Sequence, residues 1–135
     1  MKKNDPFSNK KFGVTCIKFD FVSAKYFIMA AIIMFHIVPL LLMFSPQAQS
    51  ILYSVFMAML NPLFLLLEHL IYCARHGFNF KLPLISSVLG ALSIVMYYTF
   101  KDSAYMLMTG LAMLAVYLII SLAGAVVGGF VKSYL

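Results

Sequence analysis

Charged residues are scarce in this chain of 135 residues, because only 10% of them are Asp, Glu, Lys or Arg, against roughly 25% in a soluble domain. Tryptophan is absent, and the two cysteines, Cys16 and Cys73, form neither a CxxC pair nor a Cys/His metal-binding spacing. The low charge excludes a soluble domain of ordinary composition. The cysteine pattern predicts two free thiols and no metal site.

Long apolar runs replace the missing charge, and they give the chain 64% hydrophobic residues and a mean hydropathy of +0.99. They occupy residues 26–44, 51–73, 82–100 and 104–131. A run of about 18 or more apolar residues is long enough to cross a bilayer core as a helix. We therefore predict an all-α membrane protein, with a basic tail at 1–25 and four transmembrane helices within 26–135. Short connections at 45–50 and 101–103 predict two antiparallel hairpins.

The ten Lys and Arg residues are distributed unevenly around the predicted spans. Nine of them precede the first span, follow the fourth or lie between spans two and three, whereas Lys101 alone lies in the other set of loops. The positive-inside rule then places both termini in the cytoplasm. This distribution accounts for the net charge of +6 without a nucleic-acid partner.

The basic tail admits two interpretations. One is an orientation signal, and the other is a contact with the anionic inner leaflet, where each nearby lysine contributes about 1 kcal/mol. The lysines that would make this contact are Lys2, Lys3, Lys10, Lys11 and Lys18.

Polar residues at membrane depth are the candidates for a functional site, because each is costly there unless it is partnered. Helical spacing predicts a central layer and a second layer nearer the cytoplasm, in which a carboxylate faces three hydroxyls. The carboxylate is either a proton or ion site or a hydrogen-bonded group that orients the bundle. The central layer contains His36, Asn61 and Tyr117, and the second contains Glu68, Ser86, Ser87 and Ser121. We expect His36 to be neutral and bonded to Asn61 or Tyr117, with a proton relay as the alternative.

Small residues predict close helix packing in the second hairpin. Gly90 lies in span three, and Gly124 and Gly128 form a GxxxG motif in span four. We expect span four to pack through this motif on span three or on another copy of the chain. The first hairpin differs, since Pro39 and Pro62 interrupt its spans.

No nucleophile lies at the same depth as a base, so the sequence predicts no catalytic residues, no cofactor and no enzyme. In length and span count the chain resembles the small multidrug resistance transporters. Those carry a central glutamate in the first span, whereas this chain has His36 there, so the sequence assigns no family.

Two functional hypotheses follow, both for a protein of the bacterial cytoplasmic membrane. One is a non-catalytic protein that acts through helix contacts, as an accessory subunit, an immunity-type protein or a scaffold. The other is an oligomeric transporter or channel protomer that uses Glu68. Both imply a homo-oligomer or a larger membrane-protein partner.

Overall fold

The computed structural model of the protein describes residues 18–45, 47, 52–97 and 103–134, and its elements are four helices. Helix α1 spans Phe21–Leu42, and α2 runs through 52–76. Helix α3 spans Lys81–Tyr97 and α4 spans Ser103–Tyr134. The predicted all-helical fold is thus confirmed for the described residues. The tail lysines Lys2, Lys3, Lys10 and Lys11 lie outside them, as do most residues of the predicted connections at 45–50 and 101–103.

Three of the helices are long and apolar enough to span a membrane, namely Phe21–Leu42, Val55–His76 and Ala104–Tyr134. The fourth, Lys81–Tyr97, is apolar but has 17 described residues. Large hydrophobic side chains cover the outside, with Phe44 82% and Met108 70% exposed, while serines and an asparagine lie inside. Apolar outside and polar inside is the arrangement expected of a membrane protein.

Helix α1 begins ahead of the predicted apolar run, because Asp20 caps it. The Asp20 carboxylate accepts a hydrogen bond from the Val22 backbone N–H at 3.1 Å, and the Ser23 hydroxyl bonds the Asp20 carbonyl at 3.1 Å. A side-chain acceptor at this position satisfies a backbone donor that the first turn leaves free.

Helices α1 and α2 both contain π-helical segments, each placed just before a proline. In α1 the segment is Ile33–Ile37, before Pro39, and in α2 it is Leu52–Leu60, before Pro62. Proline lacks a backbone N–H and its ring crowds the preceding turn, so a regular α-helix is disfavoured there. Helices α3 and α4 are α-helical throughout their described lengths.

The connection between α2 and α3 is a tight turn at Gly77. Its φ of 104° lies in the left-handed region, which favours glycine, and its N–H bonds the Cys73 carbonyl at 2.8 Å. The Asn79 side chain then accepts from the Lys81 N–H at 2.8 Å. Gly77 therefore ends α2.

The core consists of two clusters stacked along the bundle. One contains Ala31, Phe35, Leu65, Ile94 and Tyr117. The other lies toward the Gly77 turn and contains Ala24, Tyr72, Cys73, Leu82 and Ala125. Both clusters draw residues from all four helices, with α2 supplying the most to the second.

Candidate functional site

One face of α2 carries several buried polar side chains. Asn61, His69 and Tyr72 have no exposed surface, and Glu68 is 5% exposed. Positions 61, 65, 68 and 72 lie on the same side of a helix, and all four are buried. Because α2 contacts α1, α3 and α4, this face points into the bundle.

The central layer is built from Asn61 and Tyr117. The Asn61 side-chain amide donates to the Tyr117 hydroxyl at 3.2 Å, and the hydroxyl donates to the Met57 carbonyl at 3.1 Å. In π-helical register the Met57 carbonyl would accept from residue 62, which is a proline without an N–H. Tyr117 supplies that missing donor from the neighbouring helix.

His36 lies apart from this layer. Its ring packs edge-on against Tyr97, with 5.7 Å between ring centroids, and it is half-buried. Phe35 occupies the inward position instead, stacked on the Tyr117 ring at 6.5 Å. Consecutive residues on a helix point about 100° apart, so only one of the two can face inward. The structure brings Asn61 and Tyr117 together, but not His36.

The second layer contains the four predicted residues as two separate pairs. The Ser86 hydroxyl donates to Glu68 Oε1 at 3.5 Å, while Ser87 and Ser121 bond each other at 3.1 Å. All four side chains are buried. The carboxyl group thus contacts one of the three expected hydroxyls, and the other two join α3 to α4.

His69 and Tyr72 also lie at this site, although the two predicted layers did not include them. His69 Nδ1 lies 2.6 Å from the Leu65 carbonyl and 3.9 Å from Glu68 Oε2. Tyr72 packs edge-on against Phe27 and bonds the Ser23 hydroxyl at 3.5 Å. The available signal for Tyr72 was its spacing of four from Glu68, which places both on one helical face.

The glycines of α4 pack against α2, so the expectation that they contact span three or another copy is wrong. A Cβ added at Gly124 would lie 2.5 Å from the Leu66 carbonyl oxygen. One at Gly128 would collide with the Leu70 carbonyl and lie 2.9 Å from the Ala74 nitrogen. Backbone atoms cannot move aside as side chains do, which is why glycine is required at both positions.

Gly90 makes room for an aromatic ring. A Cβ added there would lie 3.0 Å from the Tyr117 ring, so the absent side chain admits the tyrosine that bonds Asn61. Gly90 thus lies where α3 faces the Tyr117 ring of α4.

A shallow apolar groove of about 170 Å³ runs between α3 and α4 on the outside of the bundle. It is lined by Val88, Ala91, Leu92, Val95, Leu107, Gly110, Leu111 and Leu114. No polar side chain lines it, so it suits an acyl chain or an apolar helix better than an ion.

Within the described residues, no three His, Cys, Asp or Glu side chains come close enough to hold a metal ion. What the buried groups can do is form hydrogen bonds and hold a proton. Comparisons with known protein families, with curated proteins and with solved structures find no match for this chain.

Proposed function

We propose that this protein is a non-catalytic integral membrane protein that acts through helix contacts, as an accessory subunit, an immunity-type protein or a scaffold. The observation that carries the proposal is that polar side chains at membrane depth form hydrogen bonds between helices. Tyr117 bonds α2, and Ser121 bonds Ser87 of α3. These bonds join helices to one another, which is the usual role of polar side chains within a helix bundle in a membrane.

We further propose that all four helices cross the membrane as two antiparallel hairpins. The order of contacts supports this arrangement. Along α3 and α4, Ser87 meets Ser121, Gly90 meets Tyr117 and Val95 meets Gly110, so the numbering runs in opposite directions. Along α1 and α2, Phe27 meets Tyr72 and Phe35 meets Phe64, again in opposite order.

We propose that both termini face the cytoplasm of a bacterial cell, in its cytoplasmic membrane. Several basic residues support this by their common position at one end of the bundle. The Lys132 ammonium bonds the Arg75 carbonyl at 2.5 Å, and Lys81 lies over the Phe19 ring at 6.0 Å. By the positive-inside rule this end is cytoplasmic. The anionic inner leaflet is then a partner of Lys18 and of the tail lysines that precede it.

The second candidate is an oligomeric transporter or channel protomer, and the specific observation in its favour is Glu68. An ionisable group within a membrane span commonly marks an ion or proton path. Against it, Asn61, Tyr117 and the serine pair are engaged in bonds between helices. The described pocket between α3 and α4 is lined by apolar residues, away from Glu68.

Two measurements on the full chain separate the candidates. Native mass spectrometry after mild detergent extraction should show a stoichiometric complex with a second membrane protein or a defined homo-oligomer. In liposomes the same preparation should show no proton or cation flux above protein-free vesicles. Flux that disappears in Glu68→Gln, with folding unchanged, would replace the first candidate by the second. A monomer without flux would contradict both.

A further inference from the structure

A stripe of side chains on the outside of α3 joins a basic residue to the apolar groove. Its members recur at intervals of three or four residues and so lie on one helical face: Lys81, Leu84, Val88, Leu92 and Val95. All of them except Val95 are exposed. Val88, Leu92 and Val95 also form the α3 wall of the groove between α3 and α4. One face of α3 therefore carries both a positive charge and an apolar recess.

Lys81 brings a positive charge to the end of the bundle at which α3 begins. Its ammonium lies over the Phe19 ring of α1 at 6.0 Å, and the side chain is exposed. Lys81 is also the first residue of α3, where the helix dipole adds a partial positive charge. Among the described residues, Asp20 is the acidic side chain at this end, and it is engaged in capping α1. Exposed Lys18 offsets its charge, so an anion is favoured beside Lys81.

The distance from Lys81 to the groove matches the depth of one lipid leaflet. Val88 is seven residues beyond Lys81 and Val95 is fourteen beyond it, which corresponds to about 10 Å and about 21 Å along the helix. One leaflet contributes about 15 Å to a hydrocarbon core of about 30 Å. A lipid whose headgroup lies at Lys81 would therefore place the terminal part of its acyl chain in the groove.

The dimensions of the groove favour an acyl chain over a helix of another protein. The groove covers about two turns of each helix, residues 88–95 of α3 and 107–114 of α4, and has a volume of about 170 Å³. A helix is about 10 Å in diameter and cannot enter so small a space, whereas a single hydrocarbon chain can. Two small buried residues, Ala91 and Gly110, leave this space between the helices.

We propose that this face of α3 binds one anionic phospholipid, with its phosphate at Lys81 and one acyl chain running past Leu84 into the groove between α3 and α4. The ammonium pairs with the phosphate, and the chain covers the apolar walls. A zwitterionic phospholipid offers the same chain but no net negative charge, so the site selects anionic headgroups. The site requires a bilayer around the protein, but neither a protein partner nor an ion flux.

The absence of tryptophan from the chain permits a direct test by fluorescence. Leu92→Trp and Leu111→Trp each place a single tryptophan on one wall of the groove. Leu63→Trp is the matched control, because Leu63 is 52% exposed on α2, away from the groove. Each full-length variant is reconstituted in vesicles of equal parts phosphatidylglycerol and phosphatidylcholine. Bromine atoms near the chain ends of one lipid or the other quench any tryptophan that they contact.

We expect both groove tryptophans to be quenched preferentially by brominated phosphatidylglycerol. The relative affinity should be about fivefold in its favour, the ratio equivalent to about 1 kcal/mol for one lysine. Leu63→Trp should show no preference. Adding Lys81→Gln to a groove variant should abolish the preference. Adding Lys132→Gln should preserve it, because Lys132 lies at the same end but bonds the Arg75 carbonyl of α2.

Three results would overturn the proposal. One is equal quenching by the two brominated lipids at both groove positions. Another is an equal loss of preference in the Lys81→Gln and Lys132→Gln variants, which would indicate attraction by the overall charge rather than a site. The third is a pair of groove tryptophans that neither lipid quenches, beside a Leu63→Trp that both quench, which would show that a protein segment covers the groove.

Discussion

The Tyr117 hydroxyl of α4 donates to the Met57 carbonyl of α2 at 3.1 Å, one turn before Pro62. It also accepts from the Asn61 amide, so its hydrogen-bonding capacity is used in both directions. A proline within a transmembrane helix leaves backbone groups that neighbouring helices must satisfy. The tyrosine and the proline therefore form one structural unit across two helices.

Tyr117→Phe should destabilise the bundle by about 1 to 2 kcal/mol, because it removes both bonds and leaves the Asn61 amide and the Met57 carbonyl with one partner fewer. The measurement is unfolding in a graded series of denaturing detergent. Tyr134→Phe is the matched control, since Tyr134 is 72% exposed. Equal stability of the two variants would show that Met57 and Asn61 find other partners.

Gly128→Leu should separate α4 from α2, because its side chain would overlap the backbone at Leu70 and Ala74. Overpacking a well-packed contact costs about 1 to 3 kcal/mol, and more where backbone must move. Ala123→Leu is the control, because Ala123 is exposed on the same helix. The measurement is the melting temperature of each variant in detergent. A Gly128→Leu protein as stable as the control would argue against a close α2–α4 contact.

Ser87 and Ser121 form an isolated buried pair, and this makes a double-mutant cycle informative. Either Ser→Ala change alone leaves a hydroxyl without its partner, whereas the double variant removes both. We expect the single variants to lose about 1 kcal/mol each and the double variant to lose less than their sum. Strict additivity would mean that the two hydroxyls are not coupled.

The membrane topology can be tested by thiol labelling of a variant in which Cys16 and Cys73 are replaced by alanine. Cysteines introduced as Gln47→Cys and Asp102→Cys should react in intact cells with a reagent that does not cross the membrane, because the charge distribution places both outside. Phe80→Cys should react after the cells are opened, since Phe80 is 49% exposed in the turn between α2 and α3. Labelling at position 80 in intact cells would reverse the proposed orientation.

Apolar run length predicted the helices well, and helical spacing predicted the buried face of α2, because both depend on local geometry. Asn61 and Tyr117 were matched by depth alone, and they do bond. The depth of a residue in the membrane does not determine, however, which way its side chain points. His36 has the right depth, yet Phe35 faces inward, in a π-helical segment whose wider turns shift the direction of each side chain.

The helix that packs against the GxxxG motif could not be predicted from the sequence, for a different reason. Gly124 and Gly128 indicate that another helix approaches α4 closely, but a small residue does not specify which helix that is. The backbone that fills the space belongs to Leu66 and Leu70, whose identities carry no signal for it. His69 was left out of the predicted layers because its burial depends on tertiary packing that the neighbouring sequence does not reveal.

The two π-helical segments should allow α1 and α2 to tolerate the loss of a residue, whereas α3 and α4 have no such segment in their described lengths. A π turn is in effect an α-helix that has accepted one additional residue, so removing a residue between Leu52 and Leu60 would return that stretch to ordinary α-helix. The part of α2 from Asn61 to His76, with Glu68 and the Gly124 contact, would keep its register. Length variation in relatives of this chain should accordingly accumulate in these two segments rather than in α3 or α4.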